Sequence, residues 1–226
     1  MSPSLLDIPA FLAYMSKRVL CRVATGEKRV ALTFDDGPHP RYTPELLEML
    51  EAKGIRATFF VVGRRVRQFG KVLERTFHAG HEIGNHSDRH VPLSLLPGGF
   101  IRREIAVAEK LIVEVTGERP SFLRPPMGWF DQRVLDVARH MGYRPVVGSI
   151  HPRDSRKPGT GVIVDRIRRR VEPGAIIILH DGGRWINSDR SQTVAAVDRI
   201  TDDLVARGYR FETLSQLAAA PDAASP

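Results

Sequence analysis

The sequence predicts an α/β fold built on a parallel sheet, open or closed. Three observations carry that prediction. Short apolar runs alternate with amphipathic segments, several of the runs are apolar at nearly every position, and the residues with chemistry follow the runs at one end.

Strands are expected at 30–34, 57–62, 82–85, 122–124, 145–149, 175–180 and 209–213. A run such as 175–179 has no polar face, as a parallel strand buried on both sides requires. Helices are expected near 44–53, 64–79, 100–116, 131–141, 162–171 and 193–207. In the third of these, Ile101, Ile105, Ala108, Leu111, Ile112 and Val115 fall on one face, and Gly117 and Pro120 stop it. No internal repeat and no linker interrupts the pattern.

The chain has 226 residues, 42% of them hydrophobic, enough for one sizeable core. No stretch reaches the ~18 consecutive apolar residues of a membrane span. The single cysteine, Cys21, excludes an internal disulfide and a cysteine-rich metal site, and fits a reducing compartment. Residues 1–20 are apolar at Leu5, Leu6, Ile8, Phe11, Leu12, Met15, Val19 and Leu20, but no basic segment precedes them, and Asp7, Pro9 and Tyr14 interrupt them. A secretory signal is therefore not expected, and the cytoplasm is the expected location, unless trimming has removed a leader or anchor. An amphipathic helix, packed on the fold or touching a membrane surface, suits this segment better. The net charge of +8 gathers at Arg64, Arg65 and Arg67 and at Arg166, Arg168, Arg169 and Arg170. Such runs usually form solvated helix faces, or draw an anionic glycan or lipid surface. No motif points to nucleic acid.

Asp35 and Asp36 follow the first strand, and His86 and His90 follow the third. Arg124 ends the fourth, Asp154 lies just beyond the fifth, and His180 ends the sixth. In α/β barrels the C-terminal strand ends form the active face, where residues distant in sequence converge. That placement argues for an enzyme.

His86 and His90 would share a face if their segment were helical, a spacing that suits two ligands on one divalent metal. A catalytic zinc site takes three protein ligands, and Asp35 and Asp36 offer two carboxylates for the third place. One could bind the metal while the other serves as a base on water. Turn chemistry accounts for Asp36-Gly37-Pro38 but leaves Asp35 unexplained. His180 and Asp181, after an apolar strand, admit a structural as well as a functional reading. In Arg124-Pro125-Pro126-Met127-Gly128 the first available backbone N–H belongs to Met127, a fixed donor of the kind an oxyanion hole uses.

The segments TFDDGP, HSDRH, RPPMG, PRD and ILHD stand in the order and spacing of the polysaccharide deacetylases of the NodB-homology fold, carbohydrate esterase family four. The chain resembles that family over roughly residues 28–215, and its compact members, the chitooligosaccharide deacetylases, above all. The resemblance implies a distorted (β/α)7–8 barrel. It implies one catalytic domain, 28–217, with an apolar or amphipathic extension at 1–27 and a disordered tail at 218–226.

It also implies a single divalent metal, most often zinc and sometimes cobalt, nickel or manganese, held by Asp36, His86 and His90. Asp35 would be the general base, oriented by Arg124. The Met127 backbone would help stabilise the oxyanion, and His180, tuned by Asp154, would protonate the departing amine. Ile178 would line the acyl pocket. Four positions depart from the family pattern: His151 stands for its usual Asp, Ser155 for the Trp that walls the acyl pocket, Met127 for the common Tyr and Ile178 for the usual Leu. Trp129 and Trp185 are candidates to replace that wall.

Three readings follow. The first is N-deacetylation of an N-acetylglucosamine-type glycan. The second is a deformylase or deacylase of a lipid-linked or other amino sugar. The third is a non-catalytic carbohydrate-binding relative, which should have lost a metal ligand or Asp35; none is lost.

Overall fold

The computed structural model describes residues 18–219. Seven strands, β1 (Arg29–Gly37), β2 (Thr58–Val61), β3 (Glu82–Asn85), β4 (Phe122–Leu123), β5 (Arg144–Pro145), β6 (Ile176–His180) and β7 (Arg210–Glu212), form one sheet. Helices α1 (Tyr42–Ala52), α2 (Gly63–His78), α3 (Gly98–Thr116), α4 (Gln132–His140), α5 (Thr160–Arg168), α6 (Ser191–Ala206) and α7 (Leu214–Ala219) lie between and after them. Every strand pairing is parallel.

The strand order is β5-β4-β3-β2-β1-β6, with β7 paired to β1. Ala31 of β1 faces Ile176 on one edge and Glu212 on the other, so β7 shares the β2 edge of β1 at its N-terminal end. The two ends of the path are joined by isolated bridges: Ile150 pairs with Ile177 through bonds of 3.1 and 2.8 Å, and Leu20 and Arg22 bridge Val146 and Ala175. The sheet is a half-barrel with helices outside it, a strongly distorted version of the expected barrel in one domain.

Period two along each strand decides what faces the barrel interior. Val30, Leu32 and Phe34 of β1, Phe59 and Val61 of β2, and Ile177 and Leu179 of β6 point outward. There they pack on Leu46, Leu47 and Leu50 of α1 and on Val197, Ile200 and Leu204 of α6. Each such buried side chain contributes about 1.5–3 kcal/mol. The alternate residues Ala31, Phe60 and Ile176 belong to a separate inner cluster. Continuing that alternation along β1 and β6 places Thr33 and Asp35, and Ile178 and His180, on the inner face.

The expected apolar face of α3 is buried at Ile101, Ile105, Ala108 and Ile112, while Leu111 and Val115 are partly covered. Gly117 ends the helix in the left-handed region, at φ 73°. Asp131 caps α4 by accepting from Val134 N–H at 3.0 Å, worth about 1 kcal/mol.

Several boundaries differ from the sequence expectation. β4 and β5 are two residues each, because the chain leaves the sheet at Arg124 and, after Pro145, continues through isolated bridges at Val146 and Ile150. The fold also begins before residue 28. Leu20 is buried against Val146 and Val23 packs beside it. At the other end α7 carries the fold past residue 217. The amphipathic helix expected at 1–20 and the tail at 218–226 fall mostly on residues 1–17 and 220–226, outside the described residues. No helix among the described residues is long and apolar enough to cross a membrane.

Candidate active site

A cleft of about 520 Å³ opens at the C-terminal ends of the strands. Asp35, Asp36, His86, His90, Arg124, Met127, Ile178 and His180 all line it. Asp154 is buried behind His180.

In a regular strand Asp35 and Asp36 would point to opposite faces. Here the β1–β2 register slips between Asp35 and Gly37, and Asp36 adopts φ 76°. Aspartate tolerates that left-handed conformation better than most residues. The irregularity turns both carboxylates into the cleft, where they serve different partners.

Asp35 meets Arg124 Nη1 at 2.6 Å, and the same nitrogen donates to Thr33 Oγ1 at 2.8 Å. Both members of the pair are buried. Burial pushes the Arg124 guanidinium down from its usual value, and the Asp35 charge offsets this. The guanidinium also lies 4.1 Å from the centroid of the Phe60 ring.

Asp36 Oδ1 is 2.9 Å from His90 Nε2 and 3.6 Å from His86 Nε2. The three residues place one ligand atom each within 4.8 Å of one another. Asp36 Oδ1 and His86 Nε2 are buried with no hydrogen-bond partner among the described residues. His86 Nδ1 sits 2.7 Å from the Arg124 carbonyl, which can only accept, so Nδ1 carries the proton and Nε2 presents its lone pair. Burial lowers the His86 pKa to about 4, so the ring is neutral in the physiological range. Burial alone would raise the Asp36 pKa, but the surrounding imidazoles, His90 first, hold it far below the usual carboxylate range. One carboxylate and two imidazoles, with Asp36 Oδ1 and His86 Nε2 buried and unpartnered, fit a divalent metal.

The HSDRH segment is a loop, not the helix that would place His86 and His90 on one face. Ser87 and His90 have φ of 65° and 57°, which break helical geometry and bring the rings together, centroids 4.9 Å apart. The loop is fixed by groups the sequence reading missed. Asn85 Oδ1 accepts from Ser87 N–H, while its amide donates to the Ile105 carbonyl and to Tyr143 Oη. Buried Glu104 of α3 accepts from the backbone and guanidinium of Arg89. No motif marks Asn85 or Glu104; only their burial in the fold identifies them.

On the opposite wall, His180 Nδ1 donates to Asp154 Oδ1 at 2.9 Å. Asp154 Oδ2 accepts from the His180 N–H and from Thr193 Oγ1, both at 2.9 Å. Burial would lower the His180 pKa, but the Asp154 charge and hydrogen bond overcome it and lift the value to about 9. Nothing in the sequence predicts this contact of Thr193, in the first turn of α6, with Asp154.

Met127 has φ 60° and lines the cleft, as does Ile178. The two tryptophans do not take the place of the missing aromatic wall. Trp129 and Trp185 are exposed, and neither lines the cleft; His151, Ser155 and Arg156 occupy that side instead. The ring of His151 lies 5.7 Å from that of His180, edge to face.

Gly37 is required by the buried Asp181, whose carboxylate accepts from Thr43 Oγ1 and would overlap any Cβ at position 37. Burial raises the Asp181 pKa to about 7. Gly37→Ala is expected to cost about 1–3 kcal/mol through overpacking. The check is the midpoint of urea unfolding at unchanged slope; an unshifted midpoint would show that the Asp181 contact yields freely.

The family profile for polysaccharide deacetylase matches residues 22–146. The chain is 39% identical over 201 residues to the peptidoglycan-N-acetylglucosamine deacetylase of Bacillus cereus, covering 88% of this chain and 92% of that one. It is 37% identical over 206 residues to the chitooligosaccharide deacetylase of Sinorhizobium fredii, covering 88% and 96%. The crystal structure of a peptidoglycan N-acetylglucosamine deacetylase bound to a naphthyl N-hydroxybenzamide superposes with a TM-score of 0.86 at 28% identity, over 93% of this chain and 98% of that one. Profile, sequence and fold agree along most of the chain with the motif order at the cleft, and the chain belongs to the polysaccharide deacetylase family.

Proposed function

We propose that the protein is a metal-dependent N-deacetylase of N-acetylglucosamine-containing oligo- or polysaccharides. One observation carries this reading. The Asp36–His86–His90 cluster lies in a single cleft with the Asp35–Arg124 pair and the His180–Asp154 pair. Relatives that span nearly the same length are named for deacetylation of chitooligosaccharide and peptidoglycan N-acetylglucosamine.

Asp36, His86 and His90 would hold the metal, which supplies Lewis acidity to water and to the acyl oxygen. Asp35, held by Arg124, takes the proton of the attacking water. The Met127 N–H, presented by the Pro125-Pro126 turn, donates to the oxygen that gains charge. His180, protonated through Asp154, gives a proton to the departing amine nitrogen. Ile178 offers the acyl methyl an apolar contact. The amide C–N bond breaks, and acetate and the free amino sugar leave.

Release of acetate from N-acetylglucosamine oligomers tests the reaction. Formate from a formamido sugar, with no acetate from any oligomer, would favour the deformylase instead. That alternative draws support from Ser155, which leaves the acyl side of the cleft without the family's aromatic wall.

The acid role of His180 has a pH signature. Its pKa is raised from 6.5 to about 9, so the protonated form persists through neutrality and is lost as pH rises through about 9. The alkaline limb of kcat/KM is expected there. On the acid side, His86 stays neutral down to about 4, and only below that would a proton compete with a metal for its Nε2 lone pair. Asp154→Asn removes the charge that opposes burial, and should move the alkaline limb from near 9 to 6.5 or lower. An unmoved limb in that variant would remove His180 from the acid role.

A further inference from the structure

The cleft holds more positive charge than the reaction uses. Its acidic residues belong to the reaction machinery: Asp35 pairs with Arg124, Asp36 lies in the cluster with His86 and His90, and Asp154 is held by His180 behind them. Arg156, Arg184 and Arg190 also line it, and none of the three forms an ion pair with any described residue. Arg156 and Arg184 are exposed, whereas Arg190 is only 6% exposed.

A buried guanidinium without a carboxylate is costly, and its carbonyl contacts only partly offset the cost. Arg190 donates to the carbonyls of Gly182 and Ser155, tying the loop after β6 to the loop after β5. No hydrogen bond within the described residues uses its Nη2. Beneath the same loop, buried Arg65 donates to the Gly183 carbonyl at 3.0 Å, and Arg64 to the Arg184 carbonyl at 3.3 Å. Neither forms an ion pair among the described residues, although Arg65 lies within the field of the Asp36 charge. Arg184 is steadied at the rim by Trp185, its guanidinium 5.2 Å from that ring centroid. Three arginines therefore line one wall of the cleft, and Arg64 and Arg65 hold the loop that carries Arg184.

We propose that this wall is an anion subsite, in which Arg156, Arg184 and Arg190 receive a carboxylate or phosphate carried by the amino-sugar substrate. The inference rests on the deacetylase reading and narrows it to acidic glycans. Planar guanidinium forks suit both anions, bidentate pairing gives register as well as attraction, and the neighbouring Asp35 and Asp36 place the acyl group. The anionic substituent would orient the sugar so that its amide falls between the Asp35 and His180 walls.

The test compares three substrates of equal length: a neutral N-acetylglucosamine oligomer, one bearing a carboxylate, and one bearing a reducing-end phosphate. The holoenzyme should favour one acidic form over the neutral form by about ten- to hundredfold in kcat/KM, the range of charge-assisted hydrogen bonds. Whichever acidic form leads identifies the anion. R156Q/R184Q, at two exposed positions without ion pairs, should bring that ratio close to one, and R184E should lower it too. Salt should erode the ratio in the wild-type protein and leave it flat in the double variant.

A wild-type ratio near one, or a high ratio that the variants leave in place, overturns the subsite. If no oligomer is turned over, the deacetylase reading fails instead. The Kd ratio of the acidic and neutral oligomers, measured on the wild-type protein and on R156Q/R184Q, then still decides whether the anion subsite exists.

Discussion

Replacing Asp35 by asparagine is expected to lower kcat/KM by about 10²–10⁴-fold, the range of a lost acid–base group. The substitution keeps size and one acceptor oxygen, so the contact to Arg124 Nη1 at 2.6 Å can persist as a neutral hydrogen bond. What disappears is the charge, and with it the capacity to accept a proton from water. Arg124 would then be buried without its counter-charge, and breaking a buried pair in this way costs about 3–5 kcal/mol. Stability must therefore be read beside activity. A variant that stays folded at the assay temperature, keeps its metal and loses the rate supports the base assignment. One that keeps near-normal kcat/KM contradicts it.

The second large effect concerns the cluster of Asp36, His86 and His90. Asp36→Asn is the most informative substitution, because asparagine also tolerates the left-handed backbone that position 36 adopts, and alanine would add strain there. It removes the anionic ligand while leaving the β1 irregularity in place. Activity should fall by about 10³-fold or more, since Lewis-acid stabilisation is worth several kcal/mol and each 1.4 kcal/mol is tenfold. Metal addition should raise the Tm of the wild-type protein by several degrees, and that of Asp36→Asn by much less, because a ligand that binds only the folded state stabilises it. Equal metal-induced shifts in the two proteins would place the metal elsewhere.

Much of this architecture is legible in the sequence because period and position are local signals. The run at 175–179 marks a strand buried on both sides, and its parity puts Ile178 and His180 on the face opposite Ile177 and Leu179. The placement of Asp35, His86, Arg124 and His180 at strand ends is likewise readable, and the structure brings them into one cleft. What sequence could not give depends on contacts between distant segments. Asn85 and Glu104 hold the histidine loop through partners as far away as Tyr143 and Arg89. Thr193 steadies Asp154 from 39 positions further along the chain.

Other misreadings have local causes. A four-residue histidine spacing is compatible with a helix, and only the positive φ values of Ser87 and His90 exclude one. The two tryptophans were natural substitutes for an aromatic wall, but both sit on loops that hold their rings in solvent. The cleft arginines that form no ion pair among the described residues were hidden for a similar reason. Arg156, Arg184 and Arg190 are scattered among many basic residues, and their lack of acidic partners is a property of the folded chain alone.

The central claim is that one divalent metal, held by Asp36, His86 and His90, is needed for hydrolysis of the amide. The direct test strips the protein with a chelator, returns zinc in sub-stoichiometric steps, and measures bound metal and acetate release from an N-acetylglucosamine oligomer in the same samples. The account predicts that acetate release rises linearly with bound metal and stops at one equivalent. Acetate release at full rate from protein that holds no metal would contradict it.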